Sequence, residues 1–334
     1  MQPAACRSAA TGGRHSGPGN KARPGLPMFR RPPGSPGAMR QCGTSRMTPT
    51  GAIAIQVAIF PESRRFMFNV RQFTNLLPQP VRFELRRRLF AGSARECPLC
   101  GNSVKAFHGH GGGAAVLDER KVVGGMRRED DRCPVCHACD RTRMMMLFLE
   151  SETELGRRPM RILHVAPDFG LYLWLRRQPA VDYVCSDIDA KRYRHIEALQ
   201  IADLTKLHFD SDSFDIVICS HVLEHVPDDA AAFAEIRRVL KPGGKALLLT
   251  PYAMDGRPTD EDPSIHDPVE QDRRFGQWDH VRIYNRDDFL ARMEAAGLQT
   301  RLFEPIREMP ERATELALNP LEALPIGIRP AQPA

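Results

Sequence analysis

The sequence has no run approaching the roughly 18–20 apolar residues that a membrane span needs. Its longest apolar stretches, such as Ile216–Cys219 and Ala246–Leu249, are strand-sized. Near its start it has no compact apolar segment followed by a cleavage site, so nothing reads as a secretory signal. Residues 1–50 contain no Asp or Glu against eight Lys/Arg, which leaves residues 51–334 at −2 of the chain's net +6. A nearly neutral remainder weakens any case for non-specific nucleic-acid binding.

What is present fits a cytoplasmic globular protein. The 334 residues are 42% hydrophobic and 26% charged, enough for one large α/β domain and something smaller. Residues 1–66, rich in Arg, Pro and Gly, are expected as a disordered extension, with Met47 and Met67 as candidate true starts. A helical lead-in is expected over 67–94, with Val81, Leu85 and Leu89 at helical spacing.

Residues 95–150 hold two C-x-x-C pairs, Cys97/Cys100 and Cys133/Cys136. In a chain without export signals such pairs read as metal or redox sites rather than disulfides. Two knuckles can give four thiolates to one tetrahedral zinc, which leaves no open position and so implies a structural role. Cys139, His137 or His108 could replace a ligand. Cys185 and Cys219, inside expected strands, read as core.

From Arg161 onward, strand and helix alternate, the pattern of a parallel sheet covered on both faces. Strands are expected at 161–165, 181–186, near 196–201, at Phe214–Ser220, Lys245–Thr250 and 298–303, with a last one near Ile326–Ile328. Helices are expected at about 169–177, 228–240 and 286–296. Ligands bind beyond the carboxyl ends of such strands, where the strand order reverses. The loop there, His164-Val165-Ala166-Pro167-Asp168-Phe169-Gly170, offers one glycine for close backbone approach. Asp187 ends the second strand, where a carboxylate can accept from both ribose hydroxyls or simply cap a helix. Asp203 could accept from an exocyclic amine, with Leu204 against a ring face.

Ser213-Phe214-Asp215 leads into the fourth strand. His221-Val222-Leu223-Glu224-His225 follows it, and then Arg238-Val239-Leu240-Lys241-Pro242-Gly243-Gly244. In that order and spacing, these blocks resemble a class I S-adenosylmethionine-dependent methyltransferase across about 160–303. A narrower resemblance, covering about 95–303, is to uncharacterised bacterial methyltransferases with an N-terminal zinc-ribbon-like segment. It rests on Cys97-Pro98-Leu99-Cys100-Gly101, Cys133-Pro134-Val135-Cys136, Arg141-x-Arg143, His164-Val165-Ala166-Pro167 and the later block from Glu261-Asp262 to Asp279-His280-Val281-Arg282. Cys139 and His137 depart from that subgroup's pattern.

The resemblance implies a Rossmann-like, seven-stranded α/β sheet with an antiparallel last strand, beside a small zinc-ribbon-like module at 95–150. The methyltransferase domain would span 155–310, with a cap insert at 251–285 and a tail at 311–334. It implies cofactor contacts from Ala166 and Gly170 at the methionine end, Asp187 at the ribose and Asp203 and Leu204 at the adenine. His221 would lie beside the methionine portion. Cys97, Cys100, Cys133 and Cys136 would hold structural Zn2+.

A hydroxyl acceptor also needs a base, and histidine titrates near neutrality. His225, Glu224 and His280 are the leading candidates, with His221 and His266 behind them. The polar insert suits a small-molecule or glycan acceptor methylated at oxygen. Two alternatives stay open: an RNA methyltransferase that binds RNA through its cysteine module, and a non-catalytic zinc- and nucleotide-binding module. Against RNA, Ser220-His221-Val222-Leu223 stands where amine-directed nucleic-acid enzymes carry Asn/Asp-Pro-Pro-aromatic.

Overall fold

The computed structural model describes residues 77–196 and 198–331. The expected extension over 1–66, Met47, Met67 and the first part of the helical lead-in lie outside the described residues. Among the described residues no helix is long and apolar enough to cross a membrane.

Seven strands form the central sheet: β1 Met160–Val165, β2 Val181–Asp187, β3 Gln200–Ile201, β4 Phe214–Ser220, β5 Leu240–Leu249, β6 Gln299–Phe303 and β7 Leu324–Ile328. Their spatial order is β6-β7-β5-β4-β1-β2-β3. The first five strands run parallel, and β7 is antiparallel to both β5 and β6. The seven strands and the reversed last one are what the resemblance implied. The order reverses between β1 and β4, so the loops after these two strands flank a crevice at their carboxyl ends.

Alternation along β4 shows how both faces are covered. Ile216 and Ile218 join one apolar cluster, and Val217 and Cys219 join another on the opposite face. The first cluster takes in α2 (Asp140–Glu152), whose residues Thr142 to Leu149 are buried all round. The second takes in α4 (Asp229–Val239) and Phe289 and Met293 of α6 (Arg286–Ala295). Cys185 and Cys219 are buried core residues, as their strand positions predict.

Between these, α1 (Gln79–Leu89) precedes the cysteine segment, α3 (Phe169–Leu175) follows β1, and α5 (Pro268–Phe275) lies in the insert. Val81, Leu85 and Leu89 are exposed on α1, so their helical spacing marks no buried face. The fifth strand begins at Leu240, five residues earlier than expected. Lys241-Pro242-Gly243-Gly244 is absorbed in a break of register between Leu240 and Lys245. The last strand, expected near Ile326–Ile328, runs Leu324–Ile328 and fills the place between β5 and β6. The sheet therefore draws on the segment after 310.

The segment between the cysteine pairs is woven into the insert. Val122–Val123 pairs with Tyr252–Ala253, which pairs in turn with Arg282–Asn285. The second knuckle packs on α3: a Cβ on the buried Gly170 would stand 2.7 Å from the Cβ of Ala138.

Candidate active site

The four knuckle cysteines converge. Their sulfurs lie within 4.8 Å of one another, with Cys97–Cys136 at 3.6 Å and Cys100–Cys133 at 3.9 Å. A tetrahedron with metal–sulfur bonds of about 2.3 Å has edges of about 3.8 Å, so the cluster has the dimensions of a four-thiolate zinc site. None of the four is in a disulfide. Mutual hydrogen bonding splits the four thiols, pulling Cys100 down and pushing Cys97 and Cys136 up. Cys139 stays outside this set: it caps α2, and its sulfur contacts Thr142 Oγ1 at 3.4 Å.

Every residue expected at the cofactor except Gly170 follows or ends a parallel strand at its carboxyl end. Ala166 follows β1 and holds φ +50°, a left-handed backbone that glycine adopts more readily. Asp187 ends β2, and one of its oxygens accepts from Asp189 N at 2.7 Å. Asp203 follows β3 and accepts from Thr205 N and Oγ1, at 2.9 and 2.8 Å. Leu204 is buried in the core cluster beside Ala202 and Leu207. His221 follows β4, also left-handed at φ +55°.

A cavity of about 390 Å³ opens beside His221. Glu224, His225 and His280 line it, together with Gln277, Arg141 and His110. The structure thus brings the three leading base candidates to one wall, while exposed His266 is not among its lining residues. A larger hollow of about 500 Å³ lies at the amino ends of the strands, against Met160, Val181 and Asp215, on the side of the sheet where open parallel sheets do not bind ligands.

Glu224 and His225 sit in a short 3-10 turn, Leu223–His225, and His280 arrives from the insert. His225 and His280 meet edge to face, with ring centroids 4.6 Å apart. Buried Arg282 ties the two segments together by donating to the carbonyls of Leu223, Val226 and Pro227 and to Glu261. Glu224 is buried at 1% exposure, and Thr250 Oγ1 donates to its Oε2 at 3.1 Å. Burial opposes its ionisation, but His221, His225 and His280 hold its carboxyl down at about 2. Burial pushes the pKa values of His221 and His280 down, against the pull of the Glu224 carboxylate, which raises them.

Arg141 has a place here that its sequence position alone does not indicate. It lines the cavity, and its Nε is buried without a hydrogen-bond partner. Burial opposes its charge, and Cys139, Asp168 of the first loop and Glu322 support it. Its appearance in the Arg141-x-Arg143 block was the available signal. Arg143 of the same block is structural, donating to Leu316 O and Asp131 O.

Residues 171–248 match a family described as a methyltransferase domain. Over 92 residues the chain is 35% identical to an uncharacterized methyltransferase, YcgJ, of Bacillus subtilis, spanning 28% of this chain and 34% of that one. Over 58 residues it is 41% identical to a ubiquinone biosynthesis O-methyltransferase of Pseudomonas aeruginosa, spanning 17% of this chain and 23% of the relative. The chain therefore spans about a third or less of the length of these curated relatives. The crystal structure of the Bacillus YcgJ protein aligns with 57% of this chain and 98% of its own, at 18% identity and a TM-score of 0.37.

Proposed function

We infer that this chain, a class I S-adenosylmethionine-dependent methyltransferase, moves the sulfonium methyl to a hydroxyl of a polar small molecule or glycan. The cavity carries that reading: Glu224, His225 and His280 stand together at the carboxyl end of β4, next to His221. The oxygen-directed name of the ubiquinone-biosynthesis relatives points the same way.

The residues present suit the cofactor. Asp187 at the tip of β2 would take the ribose hydroxyls, and Asp203 and Leu204 would flank the adenine. The left-handed turn at Ala166 would let backbone approach the methionine end, with Gly170 behind it. The unpartnered Nε of Arg141 would meet the methionine carboxylate. When bound, the cofactor supplies an activated methyl on a positively charged sulfur. The protein aligns the acceptor oxygen with it, and such alignment accounts for up to roughly 7–11 kcal/mol of barrier. A neutral imidazole on the cavity wall accepts the hydroxyl proton. The four cysteines would hold a structural zinc that fixes the knuckle against α3.

Calorimetric titration with S-adenosylmethionine tests the reading. Binding by the wild-type chain, weakened at least tenfold in Asp187→Asn, supports it. No binding by folded wild-type protein overturns it.

A further inference from the structure

We propose that Glu224, His225 and His280 together hold a divalent first-row metal ion, distinct from the four-cysteine site, at the acceptor end of the cavity.

Three observations carry this. First, each of the three offers one ligand atom, and these atoms all lie within 4.8 Å of one another on one cavity wall. Two imidazoles and a carboxylate form a set suited to first-row divalent cations.

Second, both histidines have Nδ1 engaged by a backbone carbonyl. His225 Nδ1 faces Asp279 O at 3.1 Å, and His280 Nδ1 faces Phe275 O at 3.3 Å. A carbonyl only accepts, so Nδ1 carries the proton in both rings and Nε2 keeps its lone pair.

Third, Glu224 is left incomplete by the protein. Its Oε1 is buried without a well-formed hydrogen bond, and its neighbour His221 Nδ1, 3.3 Å away, pairs with it by charge only when that imidazole is protonated. A buried carboxylate oxygen without a partner is costly, and a cation supplies what is missing. A second compact group, Asp131, Cys139 and Asp140, differs on this point. There Asp131 Oδ1 accepts from Asp140 N, and Asp140 is paired with Arg128.

Three protein ligands leave coordination positions open for an acceptor with two adjacent oxygens. This role rests on the methyl-transfer reading above; the metal site does not. In that reading a bound cation would lower the pKa of the acceptor hydroxyl, and His221 Nε2, a buried nitrogen without a partner, would take its proton. The acceptor oxygen then bonds to the methyl carbon. The carbon–sulfur bond breaks with its electron pair left on sulfur, giving S-adenosylhomocysteine.

The test counts metals on the full chain. Metal analysis of the purified protein is combined with Mn2+ titration followed by electron paramagnetic resonance. The expected result is one equivalent of cation, as zinc or Mn2+, beyond whatever a Cys97→Ser/Cys133→Ser variant loses. That equivalent binds at least tenfold more weakly in His225→Asn, where the half-buried ring is the gentler change, and in Glu224→Gln. Circular dichroism and cooperative thermal unfolding confirm that each variant is folded. The proposal is overturned if folded wild-type protein binds no such equivalent, or if the folded variants bind it equally well. Loss of cofactor binding with the cation retained would sink the methyltransferase reading and leave the metal site standing.

Discussion

Glu224 Oε1 lies 3.3 Å from His221 Nδ1, and the two residues come from the same five-residue stretch after β4. The stretch leaves the strand with His221 in a left-handed conformation and returns through a 3-10 turn. That path puts an acidic and a basic group side by side at the end of the sheet, where the crevice lies.

Arg282 holds this turn against the insert from inside the protein, at 2% exposure. Arg282→Met would leave the Val226 and Pro227 carbonyls without the guanidinium, while Leu223 O keeps Val226 N and Tyr284 Oη as donors. The expected cost is about 3–5 kcal/mol, the range for breaking a buried charged pair. Denaturant unfolding checks it; a loss below about 1 kcal/mol would show that the turn holds itself.

The zinc reading predicts about one tightly held zinc per chain at the four cysteines, apart from any cation held by Glu224, His225 and His280. Its loss in Cys97→Ser/Cys133→Ser should lower Tm by on the order of 10 °C. Elemental analysis and calorimetry decide, and a variant with unchanged zinc content and Tm excludes the site.

Close packing of the knuckle on α3 is tested at Gly170. The Cβ of Gly170→Ala would overlap Ala138, at an expected cost of about 1–3 kcal/mol. Ala138→Gly in the same chain should restore most of it, because it removes the clashing atom. Failure of that rescue would mean the helix contact is not the source of strain.

Arg141→Gln should weaken S-adenosylmethionine binding by roughly ten- to a hundredfold, the worth of a charge-assisted hydrogen bond of about 1.5–3 kcal/mol. Methylthioadenosine, which has no carboxylate, should bind both forms equally. Equal losses for both ligands would move Arg141 away from the methionine end.

His164, buried in β1 with Nδ1 2.7 Å from the Tyr183 hydroxyl, gives a pH dependence. Burial pushes its pKa down to about 3. The unfolded chain therefore binds this proton first as pH falls, and stability is lost between about 6.5 and 3. The loss is at most about 1.4 kcal/mol per pH unit. The His164→Gln variant should show a shallower decline over that window when unfolding is followed against pH; identical slopes would remove His164 as the cause.

Much of the parallel sheet was legible because buried strands write themselves as short apolar runs between turn residues. Ile216 to Cys219 is such a run, and its length gives a strand rather than a helix. The C-x-x-C spacing made the cysteine cluster equally readable, since each tight knuckle turns two sulfurs to one side. Periodicity failed at α1, where Val81, Leu85 and Leu89 repeat at helical spacing yet stay exposed. A repeat tells which residues share a face, and not whether anything covers it.

The sequence by itself determined the order of strands and helices and the carboxylates and histidines at their ends, because local periodicity and turn chemistry act over a few residues. Tertiary structure alone decided that Arg141, His280 and the Glu224 turn share one cavity. It also decided that Val122–Val123 pairs with Tyr252–Ala253 and that Gly170 serves the contact with Ala138. Those juxtapositions join segments tens to more than a hundred residues apart, and only the packing of the whole chain sets their distances.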